Sequence, residues 1–166
     1  MKKLLGGLID ILNDKTNLLA SLHSALIKEK EAIVNSDLEA LSEAGKEKEN
    51  LLLMARLLEE QRLKIMSQLS VFYEYSFNNL TLMELCRITD DPFASRLKNN
   101  RSCLMSLTES IQELNKLNKK LLVHSLSFVK GSLNIIDSIM PQTRVYHKTG
   151  EIQSRRYSGN VLSDEI

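Results

Sequence analysis

Between residues 104 and 139 apolar residues return at alternating steps of three and four. The positions are Leu104, Leu107, Ile111, Leu114, Asn118, Leu121, Ser125, Phe128, Ser132, Ile135 and Ile139. The register runs for five heptads with no proline inside it. Such spacing puts one narrow seam along a long helix, and the seam is expected to be buried against other helices. Asn118, Ser125 and Ser132 interrupt it with polar groups, and two readings of them stay open. A buried Asn restricts helix pairing to one register at a cost in stability. Alternatively, the polar positions leave a groove near the end of the helix imperfectly filled, so that a partner helix can enter. Leu122, Val123, Phe128, Val129, Leu133, Ile136 and Met140 add apolar surface beyond the strict seam and suggest a second contact face.

Earlier patterns have the same helical period. Leu5, Leu8, Leu12, Leu19, Leu22, Leu26 and Ile33 share one face of a first helix over about residues 3–34, interrupted by Lys15 and Glu29. Ser36 and Glu39 have capping-box spacing, so a second helix is expected over about 37–74. Its apolar face is Leu38, Leu41, Ala44, Leu51, Leu52, Ala55, Leu58, Ile65 and Leu69. The run Lys46-Glu47-Lys48-Glu49 reads as a solvated helix face with i,i+4 pairing. Phe72, Tyr73, Tyr75 and Phe77 are expected to plug one end of the bundle. Thr81 and Glu84 repeat the capping-box spacing and open a short helix over 81–89. Asp91 is expected to cap the last helix, 92–140, with Pro92 at its first position and Pro141 as its stop.

The predicted fold class is therefore all-α. It is an elongated antiparallel helical bundle, or coiled coil, of three long helices plus one short helix. Residues 1–140 form the bundle domain and 141–166 a C-terminal tail. Within the tail Lys148-Thr149-Gly150 lies between Val145-Tyr146 and Ile152, a pattern compatible with a weak hairpin. The tail is expected to be mobile unless something binds it.

Composition narrows the class further. The chain has 166 residues, 43% hydrophobic and 26% charged, with 5% aromatic residues, no Trp and a net charge of +1. That balance gives no global field toward nucleic acid or an anionic membrane. Four Lys/Arg interleaved with tyrosines in the tail are a weak nucleic-acid footprint. The N-terminal Met1-Lys2-Lys3-Leu4-Leu5 hints at a signal peptide, but Asp10, Asn13 and Asp14 interrupt the apolar stretch. No segment reaches the ~20 apolar residues of a membrane span. The expectation is a cytoplasmic protein.

Catalytic chemistry is not indicated. There is no phosphate-binding glycine loop, no His-Glu-x-x-His and no Cys-x-x-Cys. His23, His124 and His147 lie far apart, and His124 is expected to be a satisfied histidine of the bundle. Cys86 and Cys103 read as reduced core thiols. We expect no enzyme activity, no metal site, no cofactor, no small-molecule substrate and no nucleic-acid partner.

Several segments taken in order carry a family resemblance. They are Asn35-Ser36-Asp37-Leu38-Glu39-Ala40-Leu41, then Gly45-Lys46-Glu47-Lys48-Glu49-Asn50-Leu51, then Arg62. Leu114-Asn115-Lys116-Leu117-Asn118 and Tyr146-His147-Lys148-Thr149-Gly150 follow. In order, spacing and length the chain resembles the FlgN-type flagellar type III export chaperones. The resemblance implies a cytoplasmic chaperone whose clients are hook–filament junction proteins of the FlgK and FlgL type. It would bind their C-terminal helical segments, prevent premature assembly and deliver them to the membrane export gate. The matching client-binding positions are Leu126, Val129, Leu133, Ile136 and Met140, and Tyr146 is the matching export-gate contact. The alternatives are a structural coiled-coil scaffold or an injectisome-type chaperone without a flagellar client. A homodimer is a further arrangement by which such a seam is hidden.

Overall fold

The computed structural model describes residues 1–76 and 78–139, and the backbone of 145–146 and 152–153. Four helices follow one another: α1 (Lys2–Asn35), α2 (Leu38–Phe72), α3 (Leu82–Ile88) and α4 (Phe93–Ile139). Two short strands come next, β1 (Val145–Tyr146) and β2 (Ile152–Gln153). They pair antiparallel, Val145 opposite Gln153 and Tyr146 opposite Ile152. The turn that sequence placed at Lys148-Thr149-Gly150 lies outside the described residues. The fold class is the expected all-α bundle, and the chain divides into two compact units, 1–124 and 125–166.

Ion pairs and hydrogen bonds fix the helix directions in the first unit. Lys15 meets Glu59 while Lys28 meets Glu47, so α1 and α2 run antiparallel. His23 meets Ser110, and Leu26 meets Asn118, so α4 runs in the direction of α1. The core gathers Leu5, Leu8, Ile9 and Leu12 of α1 with Met66 and Leu69 of α2. Leu80 before α3, Leu85 of α3 and Leu97 of α4 complete it. The N-terminal apolar stretch that hinted at an export signal is thus core. Full burial of each such side chain stabilises the fold by roughly 1.5–3 kcal/mol.

The helix ends show where local chemistry differs from the sequence reading. Ser36, at φ 56°, is the left-handed residue that closes α1. Its N–H donates to Ile33 O, and the N–H of Asp37 donates to Ala32 O, a Schellman pair. Ser36 therefore cannot also be the extended N-cap of α2. Asp37 takes that role, its carboxylate accepting from the Ala40 N–H at 3.0 Å. The capping box expected from Ser36 and Glu39 does not form. Glu74, at φ 55°, repeats the motif after α2, with Tyr75 N–H donating to Ser70 O and Glu74 N–H to Val71 O. Thr81 does cap α3 through the Glu84 N–H. Asp91 accepts from the Ser95 N–H at 3.0 Å and from its hydroxyl at 2.6 Å, holding the Asp91 carboxyl below its usual range. The helix itself opens at Phe93 rather than Pro92.

The aromatic segment is not a plug. The second Schellman turn directs the chain away after Phe72, so only Tyr73 packs on the core, edge-to-face against Phe72 at 5.4 Å. Phe72 and Tyr75 are exposed, and Phe77 lies outside the described residues. Leu80, Leu85 and Leu97 close that end instead. Leu38 and Leu52, expected on the buried face of α2, are exposed as well.

Candidate functional site

The candidate contact residues lie on α4, a helix of 47 residues and so about 70 Å of rise. Along its first part the heptad seam is covered. Leu97 and Asn118 are buried, and Leu104, Leu107, Ile111, Leu114 and Leu121 are half-buried. Beyond His124 the same seam is uncovered: Phe128 is 77% exposed, and Ile135 and Ile139 are exposed too. This corrects the expectation that all five heptads are buried within the chain. Leu126, Val129, Leu133 and Ile136, at steps of three, four and three, form a second stripe beside it. Each is about half exposed, from 48% for Leu133 to 54% for Leu126. On the helical wheel Ser125 and Ser132 lie between the two stripes. Ser132 turns its hydroxyl back to Phe128 O at 3.0 Å and so leaves this face without a free polar group there. The result is an apolar face around half of the helix. Met140 and the side chain of Tyr146 lie outside the described residues. His124, expected to be satisfied within the bundle, is exposed.

The polar seam position Asn118 does something different. It is 1% exposed. Its amide Nδ2 donates to Leu26 O at 2.8 Å and to the Glu29 carboxylate at 2.9 Å. Glu29 is buried and is also paired with Lys48 of α2. One node therefore joins α1, α2 and α4, which supports the register-setting reading of Asn118. It also corrects the solvated-face reading of residues 46–49. Glu47 and Lys48 pair across to Lys28 and Glu29 of α1, not along their own helix. A second ionic group holds the middle of the α1–α2 pair. The Arg62 guanidinium beside Glu59 holds that carboxyl down to about 2, aided by Lys15 and opposed by partial burial.

The site chemistry is that of packing. Among the described residues no group of three or more His, Cys, Asp or Glu is placed to hold a metal ion. Cys86 packs against the core, where burial pushes its thiol up despite Arg101 and Lys98 nearby, which makes it a poor nucleophile. Cys103 is exposed, contrary to its reading as a core thiol. No described helix is long and apolar enough to cross a membrane.

Sequence reasoning missed one surface. Leu18 of α1 and Leu51, Met54, Leu57 and Leu58 of α2 line an open groove of about 500 Å³, edged by Asp14, Asn17, Ser21 and Gln61. The signal was present in the run Leu51-Leu52-Leu53-Met54 followed by Leu57-Leu58. Consecutive apolar residues point around the whole helix, so one seam cannot cover them.

Helices that leave long apolar faces uncovered, with no catalytic cluster among the described residues, fit a protein that holds other chains. A match to the FlgN protein family spans residues 1–154. The chain belongs to the FlgN family. It is accordingly a flagellar export chaperone, and family membership speaks for binding of flagellar substrate proteins rather than catalysis. Comparison with curated proteins and with solved structures found no match.

Proposed function

We propose that this FlgN-family chaperone works in the cytoplasm and binds the C-terminal helical segments of hook–filament junction proteins of the FlgK and FlgL type. The client helix lies along Leu126, Val129, Leu133 and Ile136, with Met140 continuing the line. The exposure of that stripe carries the reading. A client terminus that later assembles through helical contacts has an apolar face of its own, and covering it here prevents early assembly. An amphipathic helix set on such a face is a recurrent mode of recognition. The client's loss of disorder on binding keeps the affinity moderate, which suits release at the membrane export gate. Tyr146 in β1 is the proposed contact to that gate.

Co-purification with C-terminal segments of the junction proteins tests the reading, using the full chain and a chain lacking 141–166. A stoichiometric complex with gained client helicity is expected. Leu133→Asp with Ile136→Asp should abolish it without loss of the chaperone's own fold, since both positions are exposed. An intact complex with that variant would mean that the client sits elsewhere. No complex, with the chain running alone as a stable higher oligomer, would favour a structural coiled coil.

A further inference from the structure

The groove between α1 and α2 has no role in the client reading, yet it is the other large apolar surface left open. Its floor is Leu18, Leu51 and Leu58, and Met54 and Leu57 rise on the α2 side, both more than half exposed. Leu53, 58% exposed, extends that ridge. The α1 edge is acidic. Asp14 lines the groove and Asp10 lies one turn earlier on the same face, and among the described residues neither takes part in an ion pair.

The exposed face of α4 is a counterpart in cross-section. Its central stripe is Leu126, Val129, Leu133 and Ile136. Lys119 and Lys130 lie along one edge by helical period, with Asp137 farther on at the same edge. Phe128, Ile135 and Ile139 form the other edge. A basic edge therefore meets the acidic α1 rim, and an apolar edge meets the Leu53–Met54–Leu57 ridge. The line of Ser125 and Ser132 between the stripes gives Met54 and Leu57 room for close approach. Both surfaces are exposed on one and the same chain.

We propose that the α1–α2 groove is the seat for the Ser125–Ile139 stretch of α4 from a second copy of this chain. Given reciprocally, two such contacts make a closed pair, since each copy supplies one stripe and one groove. The client-free chaperone hides both surfaces in this pair, and a client helix competes for the stripe.

The test contains no client, so its outcome is independent of the client reading. The mass of the full chain is measured across a concentration series, with circular dichroism to confirm helicity. A concentration-dependent dimer is expected. Met54→Glu with Leu57→Glu in the groove, or Leu133→Asp with Ile136→Asp on the stripe, should each raise the dimer dissociation constant about tenfold or more. All four positions are exposed, so folding should be retained. Mixing the two variants restores one intact stripe–groove contact, and a heterodimer weaker than the wild-type pair but tighter than either variant alone is expected. A chain that stays monomeric at every concentration overturns the proposal. So does a dimer lost with the stripe variant but kept with the groove variant, which would mean stripe-on-stripe pairing. Failure of the mixture to pair would overturn it as well.

Discussion

The two parts of α4 carry one heptad pattern and meet opposite fates. From Leu97 to Leu121 the seam is buried or half-buried against the first unit, while from Ser125 to Ile139 its residues are largely exposed. Nothing in the spacing separates them. A heptad repeat specifies that a helix has an apolar face, but whether a partner belongs to the same chain depends on what else the chain supplies. In a chaperone the uncovered half is the part left for binding. This gives the comparison its energetic content: equal apolar residues should matter greatly to folding in the first stretch and little in the second.

The largest expected effect tests that contrast directly. Leu97 is completely buried in the core, so Leu97→Ala should cost about 2–5 kcal/mol of unfolding free energy. Ile135, on the same seam, is 60% exposed, so Ile135→Ala should stay within roughly 0.5 kcal/mol of wild type. Chemical denaturation followed by circular dichroism, at a concentration where the chain is monomeric, reads both. Equal losses would mean that the second stretch is covered within the chain after all.

The middle-sized effect concerns the polar positions of the seam. Asn118→Ala removes the amide that donates to Leu26 O and to the buried Glu29 carboxylate, leaving both acceptors short of a partner. A loss of about 1–3 kcal/mol is expected. Ser132→Ala, whose hydroxyl only bonds back to its own helix, should change stability by less than about 0.5 kcal/mol. If Asn118→Ala proved neutral, the three-helix node would not be what fixes the register of α4.

Much of this fold was legible from hydrophobic period alone, because long uninterrupted helices leave few alternatives. The all-α class and the order of three long helices and one short helix needed only the spacing of Leu and Ile and the two prolines. The failures have local causes. Ser36 and Asp37 are both good capping residues, and sequence cannot say which will take the left-handed position that ends α1. The charge run at 46–49 looks the same whether it faces water or α1, since the partners Lys28 and Glu29 are far away in sequence. The α1–α2 groove went unread because only one apolar face was sought on a helix with apolar residues all around. For the client stripe, sequence located the residues by family likeness, and their exposure is the new information.

The smallest effect asks whether charge, rather than apolar cover, separates the well-packed region from the exposed one. Glu59, between Lys15 and Arg62, has its carboxyl held down to about 2 from an ordinary 4.5. A carboxyl with a lowered folded value binds fewer protons folded than unfolded, so its contribution is complete above about pH 4.5. It fades as pH falls toward about 2. Because the group is partly open to solvent, salt and water screen it, and the effect should be a modest fraction of the Leu97→Ala loss. Melting curves for the wild type and Glu59→Gln should therefore differ slightly at neutral pH and converge as the pH is lowered through that window. A difference that grew on acidification would reverse the sign and show that Glu59 is strained in the folded chain. A difference at neutral pH as large as that of Leu97→Ala would make the ionic group, not the leucine core, the main tie between α1 and α2. The contrast along α4 would then need a different explanation from apolar cover.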